Sequence, residues 1–138
     1  MYKVFLEANS YSEAYKILKE EKITAPVYFI LTGIKKDEGV LMTRDYNVLE
    51  FEEKLDSENN KWFIVITNHD KDIEDPDTDY RRIPAEKKLE KMGIKNVNKE
   101  SIFNEILSKY PNNNLITAYT SIQSAQNGGF FNTTIWLP

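Results

Sequence analysis

The period of the apolar positions changes several times along this chain, and each change marks an element. Tyr2 to Leu6 is a short apolar lead-in that fits a strand. Ser10-Tyr11-Ser12-Glu13 has the form of a capping box, and Ala14, Ile17 and Leu18 mark one face of a helix reaching about Lys22. Pro26 prevents its continuation. Val27 to Leu31 is β-branched and aromatic without polar alternation, the pattern of a strand buried on both faces. Gly33 and the Lys35–Gly39 stretch supply a turn, and Val40 to Met42 form the return strand of a hairpin. Tyr46 to Phe51 alternates as a third strand, and Trp62 to Ile66 reads as a second buried one.

The second half switches to helical spacing. Pro84 suits a first helical turn, Ala85, Leu89 and Met92 share a face, and Gly93 is a C-terminal stop. Asn98 caps another helix with Ile102, Phe103, Ile106 and Leu107 on its apolar side, ended by Pro111 and an asparagine run. Leu115 to Ile122 and Phe130 to Trp136 then flank Asn127-Gly128-Gly129, a hairpin signal. The pattern predicts one α+β domain over residues 1–138. It would have an antiparallel sheet, with the Arg82–Met92 and Asn98–Tyr110 helices on one face.

Composition narrows the partners more than the fold. At 41% hydrophobic and 29% charged residues the chain is ordinary for a globular protein. Its net charge of −4 argues against a nucleic-acid partner. The longest apolar run, Val27 to Thr32, is far short of a membrane span, and no basic-then-apolar leader opens the chain. The absence of cysteine removes disulfides, thiolate metal sites and a cysteine nucleophile from these residues together. Asn132-Thr133-Thr134 is a glycosylation sequon of a kind that arises often by chance.

Candidate chemistry gathers around Thr67-Asn68-His69-Asp70 and, thirteen residues after Asn68, Arg81. A neutral amide ending an apolar strand can donate to a developing oxyanion without titrating, although asparagine also caps turns. The planar donor fork of Arg81 can orient a polar group, whereas Arg82 reads as a structural partner for Asp77 and Asp79. His69, the only histidine, has no cysteine or ordered serine to activate and reads as a polar loop residue. The alternating Asp70, Asp72, Glu74, Asp75, Asp77 and Asp79 invite a calcium reading. The loop has Asp75 and Arg81 where a calcium loop needs glycine and a bidentate glutamate, so it is expected to be solvated. No cofactor and no metal is implied. The aromatic set Tyr28, Phe29, Trp62, Phe63, Phe130, Phe131 and Trp136 suits a core or the wall of an acyl pocket.

Ala25-Pro26-Val27-Tyr28-Phe29-Ile30, Gly39-Val40-Leu41-Met42-Thr43-Arg44, Trp62-Phe63, Thr67-Asn68, Asp79-Tyr80-Arg81-Arg82, Pro84-Ala85 and Ala118-Tyr119-Thr120 recur in one order. That series resembles the C-terminal part of the acid ceramidase and N-acylethanolamine acid amidase family, over about Ser10 to Pro138. These are N-terminal-nucleophile hydrolases of linear amides in N-acyl lipids, with a cysteine nucleophile. The resemblance implies half of an αββα sandwich, with Asn68 in the oxyanion hole and Arg81 lining the active site. His69 departs from it, because a tyrosine usually follows the asparagine.

The resemblance further implies a missing N-terminal part that carries the cysteine, an N-acyl lipid substrate and a lysosomal or secretory setting. The chain itself fixes no compartment. Alone, it is expected to be inactive. The competing reading is a non-catalytic lipid-binding or protein-interaction module derived from the same fold. In either case an exposed sheet face is expected, covered by the missing half or by a second copy of the chain.

Overall fold

The computed structural model describes residues 2–126 and 129–136, and by its contacts the chain divides into two compact units, Met1–Ile64 and Val65–Pro138. The first contains helix α1 (Tyr2–Glu7), helix α2 (Tyr11–Glu20) and strands β1 (Val27–Thr32), β2 (Gly39–Asp45) and β3 (Val48–Lys54). The strands form one antiparallel sheet in the order β1-β2-β3. Tyr2 to Leu6, expected as a strand, is the helix α1. The sheet has no place for it, and its backbone groups are satisfied within the segment instead, as in Ala8 N–H to Val4 O at 3.1 Å.

Ser10 caps α2, its hydroxyl accepting from Glu13 N at 3.2 Å. The Glu13 carboxylate reaches back to the amide of Asn9, one residue before the one that a capping box uses. Leu18 packs on Phe29, Val40 and Met42, with Val4, Tyr11, Tyr15, Val27, Leu31 and Leu49 around them, so helices cover one face of the sheet. The fully enclosed strand is β2, where Val40, Leu41 and Met42 have no exposure. β1, expected to be buried on both faces, buries only Phe29 and leaves Ile30 exposed. The reason is position: β2 has a neighbour on each edge and β1 on one. At the β1–β2 turn, Glu38 Oε2 accepts from the amides of Ile34 and Lys35, and a Cβ at Gly33 would collide with it.

A bulge between Thr43 and Arg44 interrupts the β2–β3 register. Arg44, fully buried, donates from Nη1 to Leu18 O, from Nη2 to Glu21 O at 2.8 Å and from Nε to Val48 O at 3.1 Å. Leu18 and Glu21 lie at the end of α2, where carbonyls lack helical partners and the helix dipole favours a cation. One guanidinium thereby satisfies the end of the helix and fixes it to the sheet.

The second unit contains α3 (Arg82–Met92), α4 (Lys99–Ile102) continuing as a π-helical turn over Phe103–Leu107, and the antiparallel hairpin β4 (Tyr119–Ser124) and β5 (Phe130–Ile135). Gly93 ends α3 at φ 70, a conformation that favours glycine. Asn98 and Ser101 cap α4 reciprocally, each side chain bonding the other's amide at 2.9 Å. Phe103 stacks on Trp136 with centroids 6.0 Å apart, and Trp136 Nε1 donates to Thr120 Oγ1 at 2.9 Å. The first two positions of the Asn127-Gly128-Gly129 turn and the side chain of Phe130 lie outside the described residues.

Trp62 to Ile66, expected as a strand, carries no ladder, and Trp62 meets Phe63 edge to face at 4.7 Å. Its β-branched and aromatic residues suit a strand, but a strand also needs a neighbouring backbone. Among the described residues no helix is long and apolar enough to cross a membrane.

Arg44→Lys should lower stability by about 3 kcal/mol, because one ammonium cannot bridge three carbonyls in fixed directions and buried acceptors are left unpaired. Urea denaturation followed by far-UV circular dichroism checks this. A loss below about 0.5 kcal/mol, typical of a surface change, would contradict it.

Candidate functional site

The segment between Asn68 and α3 is held down by a carboxylate and a guanidinium, both buried. Asp75 Oδ2 accepts from Arg82 N at 2.9 Å and from Ile83 N at 3.4 Å. Those are the first two amides of α3, which no helical carbonyl reaches. Pro84 occupies the third position and has no amide, and Ala85 N finds Arg81 O at 3.3 Å. The helix start is thus fully accounted for without a local capping side chain.

Asp75 Oδ1 lies 3.0 Å from Arg82 Nε, while Arg82 Nη1 donates to Asp70 O at 2.9 Å and Nη2 to Ile73 O. Burying both charges costs desolvation, which their mutual contact and the carbonyl partners offset. Truncating one member of such a pair typically costs about 3–5 kcal/mol, since the other is left buried and alone. The acidic loop is therefore not uniformly solvated as expected. Asp75 is buried at its centre, and the partner of Arg82 is Asp75, where Asp77 and Asp79 were expected.

With the loop folded back, Arg81 Nη2 donates to Asn68 Oδ1 at 2.9 Å. The structure brings together the two residues singled out in the sequence. An arginine has only donors, so it must meet the oxygen end of the amide. That contact turns the Asn68 Nδ2 hydrogens away from Arg81, and no described residue accepts from them. Asn68 is exposed, so the amide donors face open space at the end of the Trp62–Thr67 segment.

Arg81 is itself braced. Its Nε donates to Asp79 Oδ1, its own amide donates to Asp79 O at 2.9 Å, and its carbonyl accepts from Asn112 Nδ2 at 3.4 Å. The Arg81 guanidinium, foremost, and the Asn68 backbone amide hold the Asp79 carboxyl below its ordinary value of 3.8, against the opposing effect of burial. The Asp79 hydrogen bond in turn raises Arg81 above its usual range. His69 Nε2 stands 3.7 Å from Asp79 Oδ2, so the only histidine meets the same carboxylate. Lys71 bonds Glu86 and donates to Val65 O at 3.2 Å, tying the start of the loop to α3. Among the described residues there is no cluster of three or more His, Cys, Asp or Glu placed to hold a metal ion.

Asp75, which sets the position of everything between Asn68 and Arg81, was not singled out in the sequence. Its signal was weak but present: an acidic residue before Pro76, seven positions ahead of the first free amide of a helix whose third residue is proline.

Because the folded-state pKa of Asp79 is depressed, its contribution to stability is complete above the ordinary value of 3.8 and is lost as pH falls through the lower folded value. Wild-type stability should drop across that acid window more steeply than that of Asp79→Asn, which has no proton to take up. Urea midpoints measured from neutral pH downward check the sign. Parallel curves would contradict it.

No family model matches the chain. Over 127 residues, 92% of this chain, it is 35% identical to acid ceramidase of Homo sapiens. Over 123 residues, 89% of the chain, it is 37% identical to N-acylethanolamine-hydrolyzing acid amidase of Mus musculus. It spans about a third of the length of these curated relatives, 32% and 34% respectively. Among solved structures it is similar to the Caenorhabditis elegans N-acylethanolamine-hydrolyzing acid amidase ortholog, with a TM-score of 0.73 and 33% identity. That alignment covers 86% of this chain and 49% of the other. The α+β fold with antiparallel sheets read from the sequence is shared with that structure. The resemblance carried by Pro26–Ile30, Gly39–Arg44, Asn68 and Arg81 holds over most of the chain: it belongs to the acid ceramidase and N-acylethanolamine acid amidase family.

Proposed function

We propose that this chain is the portion of a linear-amide hydrolase of N-acyl lipids that supplies the oxyanion donor and organises the pocket, while the nucleophile lies outside these 138 residues. The observation that carries the reading is the 2.9 Å bond from Arg81 Nη2 to Asn68 Oδ1, which leaves the amide's two donors facing outward. In the mechanism that the resemblance implies, an N-terminal cysteine of the missing part attacks the amide carbonyl, and its own α-amine takes the thiol proton. The carbonyl oxygen becomes an anion in the tetrahedral intermediate and accepts from Asn68 Nδ2. Collapse expels the protonated amine and leaves a thioester for water to cleave.

A neutral amide suits this role because it gains most when the oxygen is charged and does not titrate. Such a donor is worth about 100- to 1000-fold in turnover. Arg81 fixes the amide's orientation in advance, so no reorganisation is needed as charge develops.

A second feature supports incompleteness. On one face of the β4–β5 hairpin, Tyr119, Phe131 and Ile135 are 66%, 68% and 71% exposed, and Leu115 and Ile116, just before the hairpin, are exposed too. An apolar sheet face of this kind is normally covered, and the missing N-terminal part is the occupant that the family relationship suggests.

The isolated chain should not hydrolyse fluorogenic N-acyl amides. The protein purified from its source should contain, by intact mass, a cysteine-initiated segment in the same assembly, and that assembly should turn over. In it, Asn68→Ala should lower kcat by about 100-fold or more with little change in KM, since an oxyanion donor acts in the transition state. Turnover by the pure chain, or an Asn68→Ala effect confined to KM, would overturn the proposal.

A further inference from the structure

We infer that Asp79 is a positioning residue for the Asn68–Arg81 pair, gripping the guanidinium at Nε so that Nη2 points at Asn68 Oδ1. The inference rests on the proposed hydrolase role of Asn68 and deepens it. The geometry follows from the shape of the group. A guanidinium is planar, so a carboxylate that holds Nε fixes the plane and therefore the direction of both Nη atoms. Arg81 sits at the boundary of α3, where its long side chain would otherwise sample many rotamers. Asp79 sits two residues earlier in the short helical turn Asp77–Asp79, and the Arg81 N–H bond to Asp79 O locks the two backbones together.

The carboxylate does not act on a substrate. Its side chain is only 14% exposed, and Oδ2 is fully buried. That second oxygen has no hydrogen-bond partner among the described residues and faces His69 Nε2 from 3.7 Å. A buried carboxylate oxygen without a partner is costly, and a fold retains it where the charge has a use. Here the use is the grip on Arg81. The depressed acidity of Asp79, which traces first to Arg81 and also to the Asn68 amide, reports the same contact from the other side. Asp77, in the same turn but exposed, makes no such contact and provides the internal control.

The test is nuclear magnetic resonance on the 138-residue chain. In the wild type the Arg81 Nε–H proton should be resolved and exchange with water about tenfold more slowly than an unpaired guanidinium proton, as a charge-assisted bond requires. Asp79→Asn should abolish that protection and shift the Asn68 side-chain amide resonances, while Asp77→Asn should leave both unchanged. In the active assembly, Asp79→Asn should reduce kcat by about tenfold with KM nearly unchanged. Unprotected Arg81 Nε–H in the wild type overturns the inference without any variant. Unmoved Asn68 amide resonances in a folded Asp79→Asn chain overturn it as well. An intact resonance signature in an assembly that hydrolyses no amide would instead count against the hydrolase reading and leave the positioning role standing.

Discussion

Asp75 accepts from the first two amides of the Arg82–Met92 helix and faces the Arg82 guanidinium, and the geometry of the candidate site depends on that one buried carboxylate. The helix start is a fixed partial positive charge with donors that need partners, and a carboxylate is the group that best meets both needs. Because Asp75 lies seven residues upstream, meeting them forces the chain to double back. Arg82 secures the fold-back by holding the carbonyls of Asp70 and Ile73. Only then does Arg81, at the mouth of the helix, come within bonding distance of Asn68.

The same device stabilises the first unit on its own. There Arg44 supplies a cation to the carbonyls at the end of the Tyr11–Glu20 helix, the end where the dipole is negative. In each unit a fully satisfied buried arginine fixes a helix to its surroundings. In each case the neighbouring motif, Gly39–Arg44 or Asp79–Ala85, is part of the series of blocks that connects the chain to its family. Those blocks therefore carry structure as much as chemistry. Arg44 and Arg82 build the scaffold, whereas Asn68 presents donors to the outside and Arg81 orients it.

Much of this could be read from residues. Asn98, Gly93 and Ser10 announced their helix ends because capping chemistry is local. Asn68 and Arg81 stood out because a neutral amide and a guanidinium at that spacing suit one task, and because neighbouring blocks recur in the same order. Asp75 did not stand out, since nothing local separates it from the five other carboxylates of its loop; its burial follows from a partner seven residues away. Trp62 to Ile66 misled for a related reason. Its composition suits a strand, but pairing depends on a neighbour, and among the described residues there is none. Tyr2 to Leu6 is too short for periodicity to decide between helix and strand.

The central claim is that Asp75 creates the Asn68–Arg81 contact, and a coupling energy tests it most directly. The measurement is a double-mutant cycle for Asn68→Ala and Arg81→Ala on urea stability, run once with Asp75 present and once in an Asp75→Ala background. The expected result is a favourable coupling of about 0.5 kcal/mol or more with Asp75 in place, falling to zero without it. The same coupling in both backgrounds would mean that Asn68 and Arg81 meet without the folded-back loop, and would contradict the account.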